Sequence, residues 1–345
     1  MKIGDFNFKN NTRTFIVAEL SANHNKDINV MIESIKEAKR IGANAVKIQT
    51  YTPDTMTIES NKSDFVVKGT IWNNQNLYNL YKEAFTPWEW HKKLFKVAEE
   101  IGIIIFSTPF DKTSVDFLEK LNAPAYKIAS FEITDIPLIK YIASKKKPII
   151  LSTGIAYEDD IKLALSTIRS EGNNEIILLK CTSSYPSPIG ESNLVSIRSF
   201  NQKYRVIPGL SDHTLGKICP IVAVSLGARF IEKHFKLNDK ILGPDSDFSM
   251  NSKDFKLMVQ DIRNAEKALG KKDMIPSDLQ VQGRKFARSL YVVKNVKKGE
   301  TFSDKNVKSI RPGFGLHPKY LVDIIGKKSK LNLEKGTRFS LDFIK

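Results

Sequence analysis

The sequence predicts an α/β fold, a (β/α)8 TIM barrel spanning residues 1–270, followed by a small, mostly β domain. Three observations support this prediction. Eight short apolar runs rich in β-branched residues recur along the chain, amphipathic stretches follow them, and the pattern changes after residue 270. Strands that alternate with helices in this way form βαβ units and a parallel sheet. Eight such units in a chain segment of this length match a closed barrel.

The predicted strands are short and evenly distributed, and each is bounded by polar or turn-forming residues. They are FIVAE (15–19), AVKIQ (45–49), IIIFS (103–107), AYKIA (125–129), PIILS (148–152), EIILLK (175–180), VIPGLS (206–211) and FIEKH (230–234). Helical spacing of apolar residues is clearest at 28–41, 88–101, 159–170 and 253–269. A doubly wound sheet is the alternative, but its first turn is typically glycine-rich, whereas the first turn here reads ELSANHN.

The C-terminal part of the chain has a different pattern. Turn-forming residues predict a linker at 271–285, and residues 286–345 form the predicted second domain. Its strand-like pieces are SLYVV (289–293) and TRFSL (337–341), and its turns include VKKGE (296–300) and LEKGT (333–337).

The chain is strongly basic, with 54 Lys and Arg against 38 Asp and Glu and a net charge of +16. Nucleic-acid binding, an anionic substrate and a lysine-rich proteome each account for such a charge. The chain has 43 Lys but only 11 Arg, and base recognition relies more on the arginine fork. Residues 281–345 alone carry +11 of the net charge.

Cysteine usage and hydropathy predict a cytoplasmic location. The two cysteines, Cys181 and Cys219, form no disulfide framework, which suits a reducing compartment. The N-terminus has no apolar signal-peptide core. The longest uncharged apolar stretch, 218–228, is shorter than the roughly 20 residues that span a membrane. We therefore expect no membrane partner.

Polar side chains lie at the ends of nearly all predicted strands. Alternate residues of a strand share a face, so Lys47 lies on the same side as Gln49, and Glu232 on the same side as His234. The C-terminal ends of barrel strands carry the active sites of this fold, and unpaired charges there need a bound partner. A helix N-cap for a single Ser, or an exposed Glu232–Lys233 pair, is the structural alternative. The strand-end residues are Glu19, Lys47, Gln49, Ser107, Thr108, Lys127, Ser130, Glu132, Ser152, Thr182, Ser184, Ser211, His213, Glu232 and His234.

Two histidines end successive strands. His213 and His234 can therefore meet at the barrel mouth, where two imidazoles suit a divalent transition metal with open coordination positions; two core histidines are the alternative. The letters Ser211-Asp212-His213 are not a catalytic triad, because adjacent strand residues face opposite sides. The chain has no GxSxG, HExxH, GxxxxGK or GxGxxG motif, which disfavours the corresponding hydrolases and nucleotide-binding enzymes.

Motifs on every predicted strand resemble the nonulosonic (sialic) acid synthase family, nearly from end to end. The resemblance implies a TIM barrel followed by an antifreeze-like (SAF) domain, and a homodimer in which the swapped C-terminal domain covers the partner's barrel mouth. The basic C-terminal domain would then favour the approach of an anion. The motifs are AELSANH (18–24), VKIQTYTPDTMT (46–57), FSTPFD (106–111), AYKIASFE (125–132), LSTG (151–154), KCTSSYPSP (180–188), GLSDHT (209–214), EKHF (232–235), GPDSDFSMN (243–251) and RPGFGLHP (311–318).

Within that family the chain is most similar to the pseudaminic acid branch. Phe131 and Ser183 stand where the sialic acid branch commonly has Gly and Asn. The implied reaction joins phosphoenolpyruvate to 2,4-diacetamido-2,4,6-trideoxy-altrose and releases phosphate by C–O cleavage. Synthesis of N-acetylneuraminate or legionaminate from another amino sugar is the alternative. A synthase for phosphorylated aldoses would need a further phosphate site. The C-terminal domain lacks the aromatic platform expected of a protein that binds single-stranded nucleic acid. It also lacks the flat Thr face of an ice-binding protein, so both roles are disfavoured.

The resemblance also implies roles for individual residues. A manganese ion on His213 and His234, with magnesium or cobalt as alternatives, would polarise the sugar aldehyde. Glu19 and Glu132 would bind sugar hydroxyls, and one would act as acid or base. Phosphoenolpyruvate would be bound by Lys47, Thr108, Lys127, Ser130, Ser152, Ser183 and Ser211. The other matched substrate-binding positions are Gln49, Thr182, Tyr185, Asp245, Phe286 and, reaching over from the partner, Arg311.

Overall fold

Eight parallel strands close into a barrel in the N-terminal part of the protein. The computed structural model describes residues 1–270 and 273–345, and the chain divides into two units, 1–270 and 271–345. The strand from Phe230 pairs both with the strand from Phe15 and with the strand from Ile207, which closes the sheet. The predicted α/β barrel is therefore confirmed.

All eight predicted runs are barrel strands, with ends shifted by one or two residues at most. The strands of this unit are β1 (Lys2–Ile3), β2 (Phe6–Asn7), β3 (Phe15–Glu19), β4 (Ala45–Thr50), β5 (Ile104–Pro109), β6 (Tyr126–Ile128), β7 (Ile149–Ser152), β8 (Ile176–Cys181), β9 (Ile207–Asp212), β10 (Phe230–Lys236) and β11 (Met250–Asn251). The helices are α1 (Ile28–Arg40), α2 (Pro53–Met56), α3 (Leu77–Ala84), α4 (Trp88–Ile101), α5 (Lys112–Lys120), α6 (Ile136–Ser144), α7 (Glu158–Ser170), α8 (Ile197–Tyr204), α9 (Ile218–Ser225) and α10 (Ser252–Leu269).

Local capping residues explain where several of these helices begin and end. The carboxylates of Asp27, Asp111 and Asp135 accept backbone N–H groups in the first turns of α1, α5 and α6. Each satisfies donors that have no partner within the helix. Gly102 ends α4 with a φ of +68°, a left-handed conformation in which glycine avoids a steric penalty.

The interior of the barrel changes from apolar to polar along each strand. Alternate residues face inward, so a step of two residues from a buried apolar side chain reaches a polar one on the same face. The inward apolar layer consists of Val17, Ala45, Phe106, Ala125, Ile150, Leu179 and Phe230. Two residues further along stand Glu19, Lys47, Thr108, Lys127, Ser152, Cys181 and Glu232. The sequence alternation thus concentrates polar groups at the C-terminal end of the barrel.

A hairpin closes the opposite end. β1 and β2 pair antiparallel, and the rings of Phe6 and Phe8 pack at 4.9 Å from each other. Phe6 also lies 4.8 Å from Phe15, which stacks on Phe230 at the start of β10. This cluster seals the N-terminal end of the barrel, and the sequence analysis did not predict the hairpin.

The outward faces of the strands pack against the helices, and one ion pair lies within that apolar layer. Lys233 on β10 and Asp212 on β9 are adjacent in the sheet, with Nζ 2.5 Å from Oδ2 and both side chains almost fully buried. The alternative that Glu232 and Lys233 form an ordinary exposed pair is therefore wrong, because Glu232 faces the barrel interior. Asp212 lies in this outer layer, whereas His213 lines the cavity inside the barrel. This agrees with the conclusion that Ser211, Asp212 and His213 do not form a catalytic triad.

The C-terminal unit has its own apolar core. It contains α11 (Asp278–Gly283), β12 (Ser289–Val292), β13 (Val307–Ile310) and α12 (Leu321–Ile324), with β12 and β13 antiparallel. Its core includes Leu290, Phe302 and Phe339.

Three predictions for this part of the chain need comment. The segment 337–341 is not a strand: within it, Arg338 makes a single bridge to Tyr291. The strand β13 was not predicted. The segment predicted as a linker contains α11, and its residues 271 and 272 lie outside the described residues. Over the ranges 1–270 and 273–345, no helix combines the length and the hydropathy needed to cross a membrane.

Candidate active site

A cavity of about 360 Å³ opens at the C-terminal ends of the barrel strands. Strand-end residues and the loops that follow them form its walls, as expected for this fold. Most of the predicted site residues line it. These are Lys47, Gln49, Lys127, Ser130, Glu132, Ser152, Tyr185, Ser211, His213, His234 and Asp245.

Two lysines and two glutamates form a buried charge network at the floor of this cavity. Lys47 Nζ lies 2.8 Å from Glu19 Oε2 and 3.6 Å from Glu232 Oε1. Lys127 Nζ lies 3.4 Å from the same Glu232 oxygen. All four side chains are nearly inaccessible to solvent. Because burial of an isolated charge is costly, the lysines and carboxylates must be paired, and the network has no net charge.

The two glutamates of the network differ in their proton affinity. Burial and the neighbouring Glu232 raise the pKa of Glu19, although Lys47 opposes this shift. Burial also acts to raise the pKa of Glu232, but Lys127 and Lys47 outweigh it and the net pKa is lowered. Burial lowers the pKa of Lys127. Of the two glutamates, Glu19 is therefore the carboxylate that more readily takes a proton.

A second polar cluster surrounds the backbone of Gly154. The Gly154 N–H donates to Ser130 Oγ at 3.0 Å. A Cβ at residue 154 would lie 2.0 Å from Ser183 Oγ and 2.7 Å from Ser130 Oγ. The buried hydroxyls of Ser152 and Ser183 have no hydrogen-bond partner among the described residues. Unsatisfied buried donors are costly, so this cradle of hydroxyls is suited to a bound anion.

The two predicted metal ligands do meet at the cavity. The rings of His213 and His234 have centroids 5.3 Å apart. His213 Nδ1 lies 3.0 Å from the Thr182 carbonyl oxygen, which can only accept, so the proton is on Nδ1 and the Nε2 lone pair is available. Burial above all lowers the pKa of His234 well below its usual value, which keeps it in the neutral form that binds metals.

These residues fit a divalent transition metal with an open coordination shell. His234 Nδ1 is buried and, within the described parts of the chain, makes no hydrogen bond. The nearest carboxylate oxygen, Asp245 Oδ2, lies 3.9 Å from it. In the ranges 1–270 and 273–345 no group of three or more His, Cys, Asp or Glu is arranged as a metal site. An ion here would take two protein nitrogens and leave its remaining positions to oxygen ligands.

Glu132 lies on the opposite side of the cavity, in the short 3-10 turn after β6. Burial raises its pKa to about 7. Its Oε2 atom is buried without a hydrogen-bond partner among the residues that the structure describes. A carboxyl group poised near neutrality is suited to general acid or base chemistry.

A chain of hydrogen bonds connects the charge network to the cavity rim. Gln49 Nε2 donates to Glu19 Oε1 at 3.0 Å and to Ser21 Oγ at 2.9 Å. The Ser21 hydroxyl in turn donates to Asp245 Oδ2. Gln49 and Asp245 are thus held in place by one continuous set of contacts.

Six predicted residues lie elsewhere than on the cavity wall. Glu19 belongs to the buried charge network, and Ser183 to the hydroxyl cluster at Gly154. Thr108 is buried and accepts from Lys47 Nζ at 3.1 Å, so it orients that lysine. The Thr182 hydroxyl donates to the Glu191 carbonyl, and it is the Thr182 backbone that orients His213. Phe286 and Arg311 belong to the C-terminal unit, where both are exposed; their roles stay predictions.

Several site residues were not predicted. Glu232 was noted on the correct face of its strand but was not assigned to the site, although it contacts both lysines. Cys181 ends the inward face of β8, and burial raises its pKa while the His213 imidazole at 3.8 Å lowers it, for a net value of about 7. Gly154, in the LSTG motif, and Trp72, in a polar segment, were also not assigned to the site. Only their residue types set them apart in the sequence.

Comparison with known proteins identifies the family to which this chain belongs. Residues 34–274 match the NeuB family, and residues 287–344 match the SAF domain. The chain belongs to the NeuB family. The strand-end motifs indicated the family of nonulosonic acid synthases, and this family assignment is confirmed.

Individual relatives cover almost the whole chain. A protein of Campylobacter jejuni named pseudaminic acid synthase is 48% identical over 97% of this chain and 97% of its own length. The N,N'-diacetyllegionaminic acid synthase of Legionella pneumophila is 36% identical over 94% of this chain and 92% of its own. The crystal structure of the spore coat polysaccharide biosynthesis protein SpsE of Bacillus subtilis superposes with a TM-score of 0.67 at 31% identity, covering 100% of this chain and 99% of that one.

Proposed function

We propose that this enzyme condenses phosphoenolpyruvate with open-chain 2,4-diacetamido-2,4,6-trideoxy-altrose and water, giving pseudaminic acid and phosphate. Its identity to a pseudaminic acid synthase exceeds its identity to a legionaminic acid synthase and extends over nearly the full length of both chains. The structural observation that carries the proposal is one cavity lined by the Ser130 and Ser152 hydroxyls, two lysines and two histidines.

The cradle and the lysines account for the phosphoenolpyruvate side of the reaction. The hydroxyls of Ser130 and Ser183 pack against Gly154, and Ser130, Ser152 and Lys127 line the cavity. A compact tetrahedral anion is matched by point charges and several donors. Phosphate bound there satisfies the hydroxyls that are otherwise unpaired. Lys47 and Ser211 then face the carboxylate end of the same substrate.

The aldehyde end of the sugar belongs beside the histidines. A divalent ion, most simply manganese with magnesium or cobalt as alternatives, would be held by His213 and His234 and would supply a Lewis acid for the aldehyde oxygen. Gln49 and Asp245, fixed through Ser21, orient sugar hydroxyl or amide groups. This arrangement holds the aldehyde carbon next to C3 of phosphoenolpyruvate, and such positioning lowers the barrier by converting the encounter into a unimolecular step.

Proton transfers complete the reaction. C3 of phosphoenolpyruvate bonds to the aldehyde carbon, whose oxygen gains a proton, and positive charge develops at C2. Water adds to C2 and loses a proton to Glu132, whose pKa of about 7 suits a base at neutral pH. The C2–O bond to phosphate then breaks as the C2 hydroxyl becomes the carbonyl. Its proton leaves with the phosphate, and the proton taken by Glu132 balances the one gained by the aldehyde oxygen. Glu19, which burial makes easier to protonate, hydrogen bonds a sugar hydroxyl.

The proposal includes a homodimer and a cytoplasmic location. In the domain-swapped arrangement, Arg311 and Phe286 of one chain reach the sugar in the partner's barrel. The exposure of both side chains within their own unit supports a role at such an interface. Both thiols, Cys181 and Cys219, are free and buried, which supports a reducing compartment.

The decisive experiment measures phosphate release and product mass with phosphoenolpyruvate and each candidate sugar in turn. We expect release only with both a divalent metal and the altro-configured 2,4-diacetamido sugar. The N-acetylmannosamine and legionaminate precursors, run side by side, test the alternative synthase activities. Release without sugar, or undiminished release after chelation, would contradict the mechanism. His234→Ala should abolish turnover, whereas the exposed control His317→Ala should not.

A further inference from the structure

His213 lies just beyond the region in which β9 and β10 are paired. The last pair in their register joins Asp212 to Lys233. His234 follows Lys233 within β10, whereas β9 ends at Asp212 and His213 begins the loop after it. The separation of the two imidazoles, 5.3 Å between ring centroids, therefore depends on what holds this loop against β10.

The side chain of Lys233 holds the chain on both sides of His213. Its Nζ atom lies 2.5 Å from Asp212 Oδ2, one residue before the histidine, and 2.6 Å from the Thr214 carbonyl oxygen, one residue after it. Asp212 Oδ1 accepts from the N–H and the hydroxyl of Thr214, which closes the chain around His213. We call Asp212, Thr214 and Lys233 the outer clamp.

The loop after β8 supplies a second set of contacts to the same histidine. The Thr182 carbonyl accepts from His213 Nδ1 at 3.0 Å, and the Ser187 N–H donates to the His213 carbonyl at 2.9 Å. These bonds fix His213 relative to β8. The outer clamp fixes it relative to β10, the strand that carries His234.

Stability alone does not account for charged groups in the outer clamp. Asp212 and Lys233 are at most 3% exposed and lie in the apolar layer between the strands and the helices. The desolvation of a buried ion pair offsets most of its attraction, and apolar residues of similar volume are often equally stable in its place. Short charge-assisted hydrogen bonds do, however, impose a defined geometry on the groups that they join. The groups joined here are the chain segments that flank the two histidines.

We propose that the outer clamp positions His213 relative to His234 for metal binding. This inference rests on the proposed function, because the divalent ion on the two histidines is part of it. Among the residues that the structure describes, the cavity wall includes neither Asp212 nor Lys233, so both act through the histidines as positioning residues. Loss of groups that orient metal ligands typically weakens metal affinity by about tenfold to a hundredfold.

The test combines Asp212→Asn with Lys233→Met, which removes both charges and leaves no member of the pair as an unpaired ion. Binding of Mn²⁺ without substrates is measured through the electron paramagnetic resonance signal of the free ion. We expect the Kd of this double variant to rise by about tenfold to a hundredfold. The KM for phosphoenolpyruvate at saturating Mn²⁺ should stay near the wild-type value, because Lys47 and Lys127 come from β4 and β6.

The matched control combines Asp261→Asn with Lys217→Met. This pair is equally short, 2.5 Å, but lies at the surface, so its removal should leave the Kd for Mn²⁺ unchanged. A second variant, Thr214→Val, keeps the side-chain shape and removes one hydrogen bond to Asp212. It should raise the Kd in the same direction by a smaller factor.

Melting curves show which variants are folded. An unchanged Kd in the folded clamp variants, or in Thr214→Val alone if the double variant does not fold, would overturn the inference while the proposed function stands. A KM for phosphoenolpyruvate that rises by the same factor as the Kd would also overturn it, since that result indicates a general loosening of the site. If the wild type itself does not bind Mn²⁺, magnesium or cobalt, the metal site of the proposed function fails.

Discussion

The buried ion pair behind the histidines allows a quantitative prediction about stability. Lys233 Nζ bonds to Asp212 Oδ2 at 2.5 Å and to the Thr214 carbonyl at 2.6 Å. Asp212 Oδ1 also accepts from the backbone N–H and the hydroxyl of Thr214. We predict that Lys233→Met destabilises the protein strongly, because it leaves the Asp212 carboxylate buried without its cation.

The size of the expected loss in unfolding free energy follows from the burial of the ion pair. Both side chains are at most 2% exposed, and removing one partner of a buried pair costs about 3–5 kcal/mol. Adding Asp212→Asn to Lys233→Met removes the second charge but keeps an acceptor for Thr214. We expect the double variant to recover most of the lost stability. Its free energy of unfolding should remain about 1–2 kcal/mol below that of the wild type, because the hydrogen bonds made by Lys233 are missing.

The assay is urea denaturation of the metal-free protein followed by circular dichroism, arranged as a double-mutant cycle. Lys217→Met is the control, since Lys217 and Asp261 form an equally short pair, 2.5 Å, at the surface, where each is more than a third exposed. Exposed pairs contribute at most about 1 kcal/mol. The reasoning from burial is refuted if Lys233→Met lowers the free energy of unfolding no more than Lys217→Met does. It is also refuted if adding Asp212→Asn to Lys233→Met lowers that free energy further.

Three further predictions concern the site. Gly154→Ala should raise the KM for phosphoenolpyruvate at least about tenfold, because its Cβ would lie 2.0 Å from Ser183 Oγ; an unchanged KM would contradict the cradle. Activity should rise with pH through an apparent pKa near 7 as Glu132 loses its proton, since a base must be ionised, and a profile that keeps this limb in Glu132→Gln would exclude that residue. Arg311→Ala should mainly weaken use of the sugar, and mixing it equally with inactive His234→Ala should bring activity to roughly a quarter of wild type by random pairing into dimers, whereas no gain on mixing would argue against a site shared between chains.

Much of this protein follows from local sequence pattern. The eight apolar runs became the eight barrel strands because each run is buried on both faces, between the barrel interior and the helices. The step of two residues from Val17 to Glu19, or from Ala45 to Lys47, placed polar groups at the C-terminal strand ends. His213 and His234 were predicted to meet for the same reason. Parallel neighbouring strands bring their ends together whatever their separation along the chain.

Other features depended on contacts that alternation does not encode. The predicted contact of Thr182 with substrate stays a prediction, and the structure adds that its hydroxyl donates to the Glu191 carbonyl while its own carbonyl orients His213. The segment 337–341 has a strand-like composition, and Thr337 and Phe339 make backbone hydrogen bonds to β12, yet only Arg338 forms a bridge there. A short segment becomes a strand only where the bridges to its neighbour form a continuous ladder, and that is a property of the assembled unit.

The sequence by itself determined the family, the barrel and the face on which the chemistry lies, because these depend on period-two and helical spacing within short segments. Only the tertiary structure decided how the charges pair and where space remains. It placed Glu232 between two lysines, buried Lys233 against Asp212, and packed the Ser130 and Ser183 hydroxyls against Gly154. The cause is physical: charge pairing and free volume depend on distances between side chains from different strands. Those distances exist only after the barrel has closed.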